Sequence, residues 1–308
     1  MVSLQQVDRS MYDEVSPLLL NLNSQIDWRN IFNCSWQQED YCGYGLFDGK
    51  EIVGFLGLIF SSRTLGDRVE NFCNIHTWVV KPQYRDRSIS LILPVLKLKD
   101  MTLTDLSPAP TVIAILQRLG FTILDSKLCI LLPFSVRNSN DLKKIQLTQE
   151  KKQIADWLSK EDFRLFQDHA NYSGCSHLLI ENSKNYCYII YTIVRQAFFS
   201  YCYIQYISNI QMFSQYSGSI RADIAKHSRT PLIVVDSRLV ASMKLPFSYD
   251  LPFSFPKLYK SSNLKPTQID NLYSELVLLN FSLIPNNFKA LRALWHETKY
   301  WHRIKDSL

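Results

Sequence analysis

Residues 74–98 read NIHTWVVKPQYRDRSISLILPVLKL. The β-formers Ile75–Val80 predict a strand, in which side chains alternate between two faces. Pro82 ends it, because proline has no amide proton to give to a ladder. A short basic turn follows, Tyr84-Arg85-Asp86-Arg87-Ser88-Ile89-Ser90. The apolar run Leu91, Ile92, Leu93, Val95, Leu96, Leu98 then predicts a buried helix, with Pro94 tolerable near its first turn. Strand, basic turn and helix start together offer unpaired amides and a positive helix end to a phosphate.

Working outward, Gly45–Gly57 holds Asp48-Gly49 between two apolar runs and predicts a hairpin. Val2–Val7 predicts a first strand, and Asp8 caps a helix to Leu20 that Pro17 kinks or stops. A second helical piece falls near Gln25–Phe32, where Trp28, Trp36 and Tyr41 either line a pocket or pack a core. Downstream, Met101–Leu106 predicts a strand, Ser107–Gly120 a helix with Gly120 as its left-handed cap, and Phe121–Phe134 one or two returning strands.

Val80-Lys81-Pro82-Gln83-Tyr84-Arg85 is similar to the V-x-P-x-Y-R segment of the GCN5-related N-acetyltransferases (GNAT superfamily). Ile115-Leu116-Gln117-Arg118-Leu119-Gly120-Phe121 resembles that family's second signature, and the likeness covers roughly residues 1–135. The resemblance implies an acyl-CoA co-substrate, acetyl-CoA or another. Its pantetheine arm would enter between the strands Ile75–Val80 and Met101–Leu106, and Arg85, Asp86, Arg87, Ser88, Ile89 and Ser90 would form its pyrophosphate loop. Ser88 and Ser90 stand where the family has glycines, and Leu116 where it often has a general-acid tyrosine.

The second half repeats the order. His177–Ile190 reads as strand, polar turn, strand; Phe198–Ile207 as the next strand; Ile210–Lys226 as a helix; Pro231–Asp236 as a further strand. Arg137–Asp141 is a polar linker, and Gln149–Leu158 and Ser159–His169 are helices. The expectation is an α+β chain of two acetyltransferase-like domains, each a mixed, mostly antiparallel sheet flanked by helices. Residues 1–137 would bind acyl-CoA, and 141–308 would be a degenerate copy. Chance recurrence of common elements is the alternative. Leu245–Ser261, rich in proline and aromatics, predicts an ordered loop whose Phe247, Tyr249, Phe253 and Tyr259 wall an acceptor pocket or pack the second core. Thr267–Phe281 and Asn287–His302 predict helices, the last a surface for a domain seam or homodimer.

Composition narrows the class. With 308 residues, 46% hydrophobic and 20% charged, the chain can build real cores. The net charge of +6 is spread along the chain without a run of nucleic-acid type, so no nucleic-acid partner is expected. The seven cysteines are scattered without zinc spacing, which predicts free thiols and no metal site. Met1–Ser10 has no apolar signal core, and Arg195-Gln196 breaks the most membrane-like stretch. A cytoplasmic chain without a membrane span is the expectation.

Acyl transfer needs a held thioester, a proton acceptor and support for an oxyanion. Amides of Trp78, Val79 and Val80 would serve the oxyanion and the arm, and Arg85 and Arg87 the pyrophosphate. His76, near where the family often has a catalytic glutamate, is the first candidate base, sharing a face with Asn74 and Trp78; a structural histidine is the alternative. Asp105 is the second candidate, or a helix cap. The sequence-level reading is an acyltransferase acting on an amine or hydroxyl of a small acceptor. The alternative is a non-catalytic GNAT-like module that binds a metabolite or protein.

Overall fold

Gly49 adopts φ +62°, and the tight turn it permits joins β2 (Tyr41–Asp48) to β3 (Glu51–Leu65). In this computed structural model, which describes residues 1–37, 39–133, 145–195, 199–280 and 282–284, that hairpin seeds the first half of a large sheet. β1 (Val2–Asp8) pairs antiparallel with β2, and β4 (Arg68–Val80) with β3. β5 (Met101–Asp105) then joins β4 in parallel. The second half builds the same series: β7 (Gln146–Thr148), β8 (Cys175–Glu181), β9 (Tyr186–Arg195) and β10 (Ser200–Ile207) are antiparallel, and β11 (Ile233–Asp236) is parallel to β10.

The remaining strands cross over. β12 (Ser248–Lys260) lies between β5 and β6 (Thr122–Leu131), antiparallel to both, and β6 lies between β12 and β11. The sheet order is β1-β2-β3-β4-β5-β12-β6-β11-β10-β9-β8-β7. It reads the same after β1–β6 are exchanged with β7–β12. The sixth strand of each half closes the open edge of the other half's fifth, so one sheet of 12 strands runs through the described residues.

One face of the sheet is covered by α1 (Tyr12–Leu22), α2 (Arg29–Phe32), α4 (Lys151–Trp157), α5 (Lys160–His169) and part of a strap, residues 261–284, that contains α9 (Glu275–Leu278). Under the first half, the other face buries Leu91, Ile92, Val95 and the Val112 and Leu116 side of α3 (Pro110–Arg118). Under the second it buries α6 (Ile210–Gln215) and α7 (Ser217–Ser228). All seven cysteines are buried and unpaired.

Four expectations change. The turn after β4 and the apolar run behind it form two 3₁₀ pieces, Pro82–Leu91 and Val95–Lys97, and no α-helix; Pro94 cannot donate an amide between them. The span taken as an aromatic loop is strand β12. Its prolines are tolerated because the register breaks between Pro252 and Lys257. Ile210–Lys226 is two helices. Thr267–Phe281 is mostly irregular, holding only part of a 3₁₀ turn (Pro266–Gln268) and α9. The linker Arg137–Asp141 and the helix expected at Asn287–His302 lie outside the described residues.

Charge is buried where the two halves interlock. Lys257 of β12 is 1% exposed. Its Nζ donates to Asp236 Oδ2 (2.7 Å), Tyr203 Oη (2.8 Å) and Asn271 Oδ1 (3.0 Å). Arg238, in α8 (Ser237–Val240), pairs with Asp236, donates its amide to Asp125 Oδ2 of β6 (2.9 Å) and reaches Asn271 Oδ1 (2.9 Å). Burial, then the nearby Arg238, holds the Lys257 amine well below its usual pKa. Two cations and two carboxylates thus join β6, β11, β12 and the strap. Removing one partner strands the others in a dry interior. Asp236→Ala is expected to cost about 3–5 kcal/mol. Guanidinium unfolding checks this, and an unchanged midpoint would refute it.

Candidate functional site

β4 and β5 pair from Asn71↔Met101 to Ile75↔Asp105, and there they part. β4 continues along β3 to Val80, whereas β5 stops, leaving a fork. A bulge marks the parting: Thr77 sits at φ +50° and the register with β3 slips between His76 and Trp78. Beyond it, Lys81 donates its amide to Val53 O at 2.8 Å. Alternation along an antiparallel ladder then gives Val79 to β3 and turns the N–H and C=O of Trp78 and Val80 toward the gap. Among the described residues no strand lies opposite them there.

His76 is 3% exposed. A Cβ on Gly57 would lie 2.1 Å from its Cε1, so only glycine leaves room for this ring. Nδ1 lies 2.8 Å from Thr77 Oγ1, and Nε2 is buried without a hydrogen-bond partner. Burial pushes the imidazole down to about 3, which keeps it neutral. Trp78 Nε1 is likewise buried without a partner. The shared face expected for Asn74, His76 and Trp78 is interrupted: the bulge sends Trp78 to the face that packs on Ile75 and Val80, and Val79 to the other.

Asp105 ends β5 at the apex of the fork, buried, accepting the Ser107 amide at 3.3 Å. Burial, then the Glu275 carboxyl, raises its pKa well above the usual range. Glu275 is 1% exposed and comes from the strap. Its Oε1 accepts from Ser107 Oγ (2.6 Å) and its Oε2 from the Asn74 amide, whose Oδ1 accepts from Thr104 Oγ1 (2.9 Å). Burial raises its pKa too. Two carboxyls thus meet at the apex, one of them invisible to motif reading.

The basic turn differs from an open loop. A 3₁₀ helix spends its amides on carbonyls three residues back, and the Ser90 hydroxyl donates to Arg87 O at 2.6 Å. Arg85, Asp86, Arg87 and Ile89 are exposed, Ser88 and Ser90 half-buried. Arg87 Nε lies 3.4 Å from Asp86 Oδ2. What this segment offers an anion is chiefly the two guanidinium groups.

A cavity of about 20 Å³ opens beside the apex, between the sheet and the strap. Ser61, Arg63, Asn74 and Thr104 wall one side, Asp270 and Tyr273 the other. Arg63 is held by Asp270 and, at 3.4 Å, by Glu161. The far wall is therefore the strap, and neither Phe247, Tyr249 and Tyr259 nor Trp28, Trp36 and Tyr41 line it. Trp28 donates Nε1 to Asn23 O (2.9 Å), and Trp36 stacks on His169 at 4.8 Å.

A second fork opens between β10 and β11 after Ile204↔Val235, with a bulge at Gln205, while β10 runs on with β9 to Ile207. No basic turn follows it; Asn209 caps α6 by accepting the Met212 amide at 3.0 Å. Among the described residues no group of three His, Cys, Asp or Glu side chains could hold a metal, and no helix is long and apolar enough to cross a membrane. Sequence reading missed Ser61, Arg63 and Glu275. The one signal was a carboxylate set in an apolar run, Glu275-Leu276-Val277-Leu278.

Two substitutions probe this geometry. Gly57→Ala must displace the His76 ring and is expected to destabilise by about 1–3 kcal/mol in thermal unfolding. Burial holds the Asp105 pKa in the folded state well above the 3.8 at which the unfolded chain releases the proton. Its contribution is therefore fully present below that value and is lost as pH rises. Asp105→Asn is expected to raise the unfolding temperature at pH 7–8, with the gain vanishing near pH 4. A gain independent of pH would contradict the assignment.

No family model matches the chain, and no curated protein matches it. Solved structures do. A GCN5-related N-acetyltransferase from Anabaena variabilis ATCC 29413 aligns at TM-score 0.54 and 14% identity, over 84% of this chain and 72% of that one. Another from Kribbella flavida aligns at TM-score 0.51 and 14% identity, over 84% and 70%. At such identity the likeness is one of fold, and the mixed sheet with its parallel fork agrees with it: this chain has the GCN5-related N-acetyltransferase fold.

Proposed function

We propose that the protein is an acyl-CoA-dependent acyltransferase that moves an acyl group to an amine or hydroxyl of a small acceptor. The observation that carries this reading is the β4–β5 fork. There the Trp78 and Val80 amides face a gap with no strand partner among the described residues. Those groups fit an acyl-pantetheine arm, which brings amide and thioester oxygens and hydroxyls to such a gap. Arg85 and Arg87, exposed beyond the end of β4, would hold its phosphates. His76 would serve as a neutral hydrogen-bonding group at the thioester, and Asp105 as part of the proton-handling pair. The two halves are read as copies of one unit, residues 1–137 and 141–308, on the strength of the palindromic strand order and the matching second fork.

A second reading, a non-catalytic binding module, is favoured by two observations: Leu116 is fully buried and carries no proton, and the turn after β4 is wound as 3₁₀ helix. Calorimetry with CoA and acetyl-CoA tests both readings. Binding with thiol release supports the transferase, binding without turnover the module, and no binding at millimolar ligand overturns the acyl-CoA reading. Arg85→Ala with Arg87→Ala is expected to weaken CoA binding by about tenfold or more per contact, each being worth about 1.5–3 kcal/mol. Folding should be intact, since both side chains are exposed.

A further inference from the structure

We propose that the chain cross-links itself: the Lys257 amine displaces ammonia from the Asn271 side chain, leaving an isopeptide bond between β12 and the strap. Neither reading of the fork calls for this bond, and it stands apart from both. Lys257 is the one buried lysine among the described residues, and it meets an amide as well as an acid. Its Nζ lies 3.0 Å from Asn271 Oδ1 and 2.7 Å from Asp236 Oδ2. Asn271 Nδ2 donates to that same Asp236 oxygen at 3.2 Å. One carboxylate oxygen thus touches both the nitrogen that attacks and the nitrogen that leaves. Arg238 Nη2 donates to Asn271 Oδ1 at 2.9 Å. Two donors on that oxygen fix which end of the amide is the carbonyl and draw electrons from its carbon. Tyr203 Oη donates to Asp236 Oδ1 and accepts from Nζ at 2.8 Å, which holds base and nucleophile together.

A charged lysine in water does not attack an amide, and three features of this seam remove the obstacle. Burial, then the nearby Arg238, lowers the Lys257 pKa and so favours the free amine. Lys257, Asn271, Asp236 and Tyr203 are all buried, so water does not compete for the carbonyl. The sheet and the strap hold the two groups in contact, which replaces a chance encounter. Asp236 is paired with Arg238, and a carboxylate so held is a poor electrophile and a fitting proton carrier. In the step, Nζ passes one proton to Asp236 Oδ2, and its lone pair forms the C–N bond at Asn271 Cγ. The displaced carbonyl electrons collect on Oδ1 beside Arg238. Asp236 then gives its proton to Nδ2 and takes a second from Nζ, and the C–Nδ2 bond breaks. The products are a secondary amide, ammonia and protonated Asp236. The bond ties to the sheet the strap that carries Glu275 over the fork.

Mass spectrometry of the folded full chain tests this. Its mass is expected to lie about 17 Da, one ammonia, below that of the sequence. A protease digest should release a branched peptide that joins Lys257 to Asn271. Lys257→Met and Asn271→Ala should each restore the full mass. Asp236→Asn removes the proton carrier with little change of shape and should leave the two peptides separate. The full sequence mass in the folded, unsubstituted chain overturns the proposal. So does the ammonia deficit without a branched peptide, which a succinimide at an asparagine would give. A branch from Lys257 to Asp236, with about 18 Da lost as water, overturns the choice of Asn271. A branched peptide retained in Asp236→Asn overturns the proton role of that carboxylate. The unsubstituted chain decides whether the bond forms, so that outcome does not depend on the variants folding.

Discussion

A parallel strand at the end of a sheet leaves a row of amides and carbonyls that must be paired or wet. In this chain β5 and β11 both face that problem, and each solves it with the last strand of the other half. The exchange places β12 and β6 side by side at the centre, so neither half completes its sheet alone. It also brings Lys257, Asp236, Arg238 and Asp125 into a dry space, where each needs the others. Hydrogen-bond closure and charge closure thus act at the same seam.

The fork follows from the same backbone logic. β5 ends at Asp105 because Ser107-Pro108-Ala109-Pro110 cannot continue a ladder, while β4 still has β3 beside it as far as Val80. The Thr77 bulge re-aims the rest of β4, separating Trp78 from the face that holds Asn74 and His76. Because the exchange puts β12 next to β5, the strap that leaves β12 passes over this apex. Glu275 meets Asn74 and Ser107 there, across 201 and 168 residues of chain.

Much of the first half was readable. The Asp48-Gly49 turn, the strand through Val80 and the Gly120 cap at φ +91° appear where local chemistry put them. The positions of the candidate residues were readable in part, since Asp105 ends β5 where the strands part and His76 and Arg85–Ser90 lie on and after β4. The parity change at Trp78 was not, because a bulge depends on how two strands register. Nor was β12: its prolines argue for a loop until a register break and two flanking strands accommodate them.

The sequence by itself determined most of the strands and caps, the order in which they recur and the position of the basic turn. Those rest on periodicity, proline and glycine geometry and caps, which act over a few residues. Only the tertiary structure decided which strand closes which edge, where the seam cavity lies and that Glu275 faces Asp105. The physical reason is that these are pairings between residues far apart in the chain. They are selected by the shared need to satisfy buried hydrogen bonds and charges, which no local stretch carries alone.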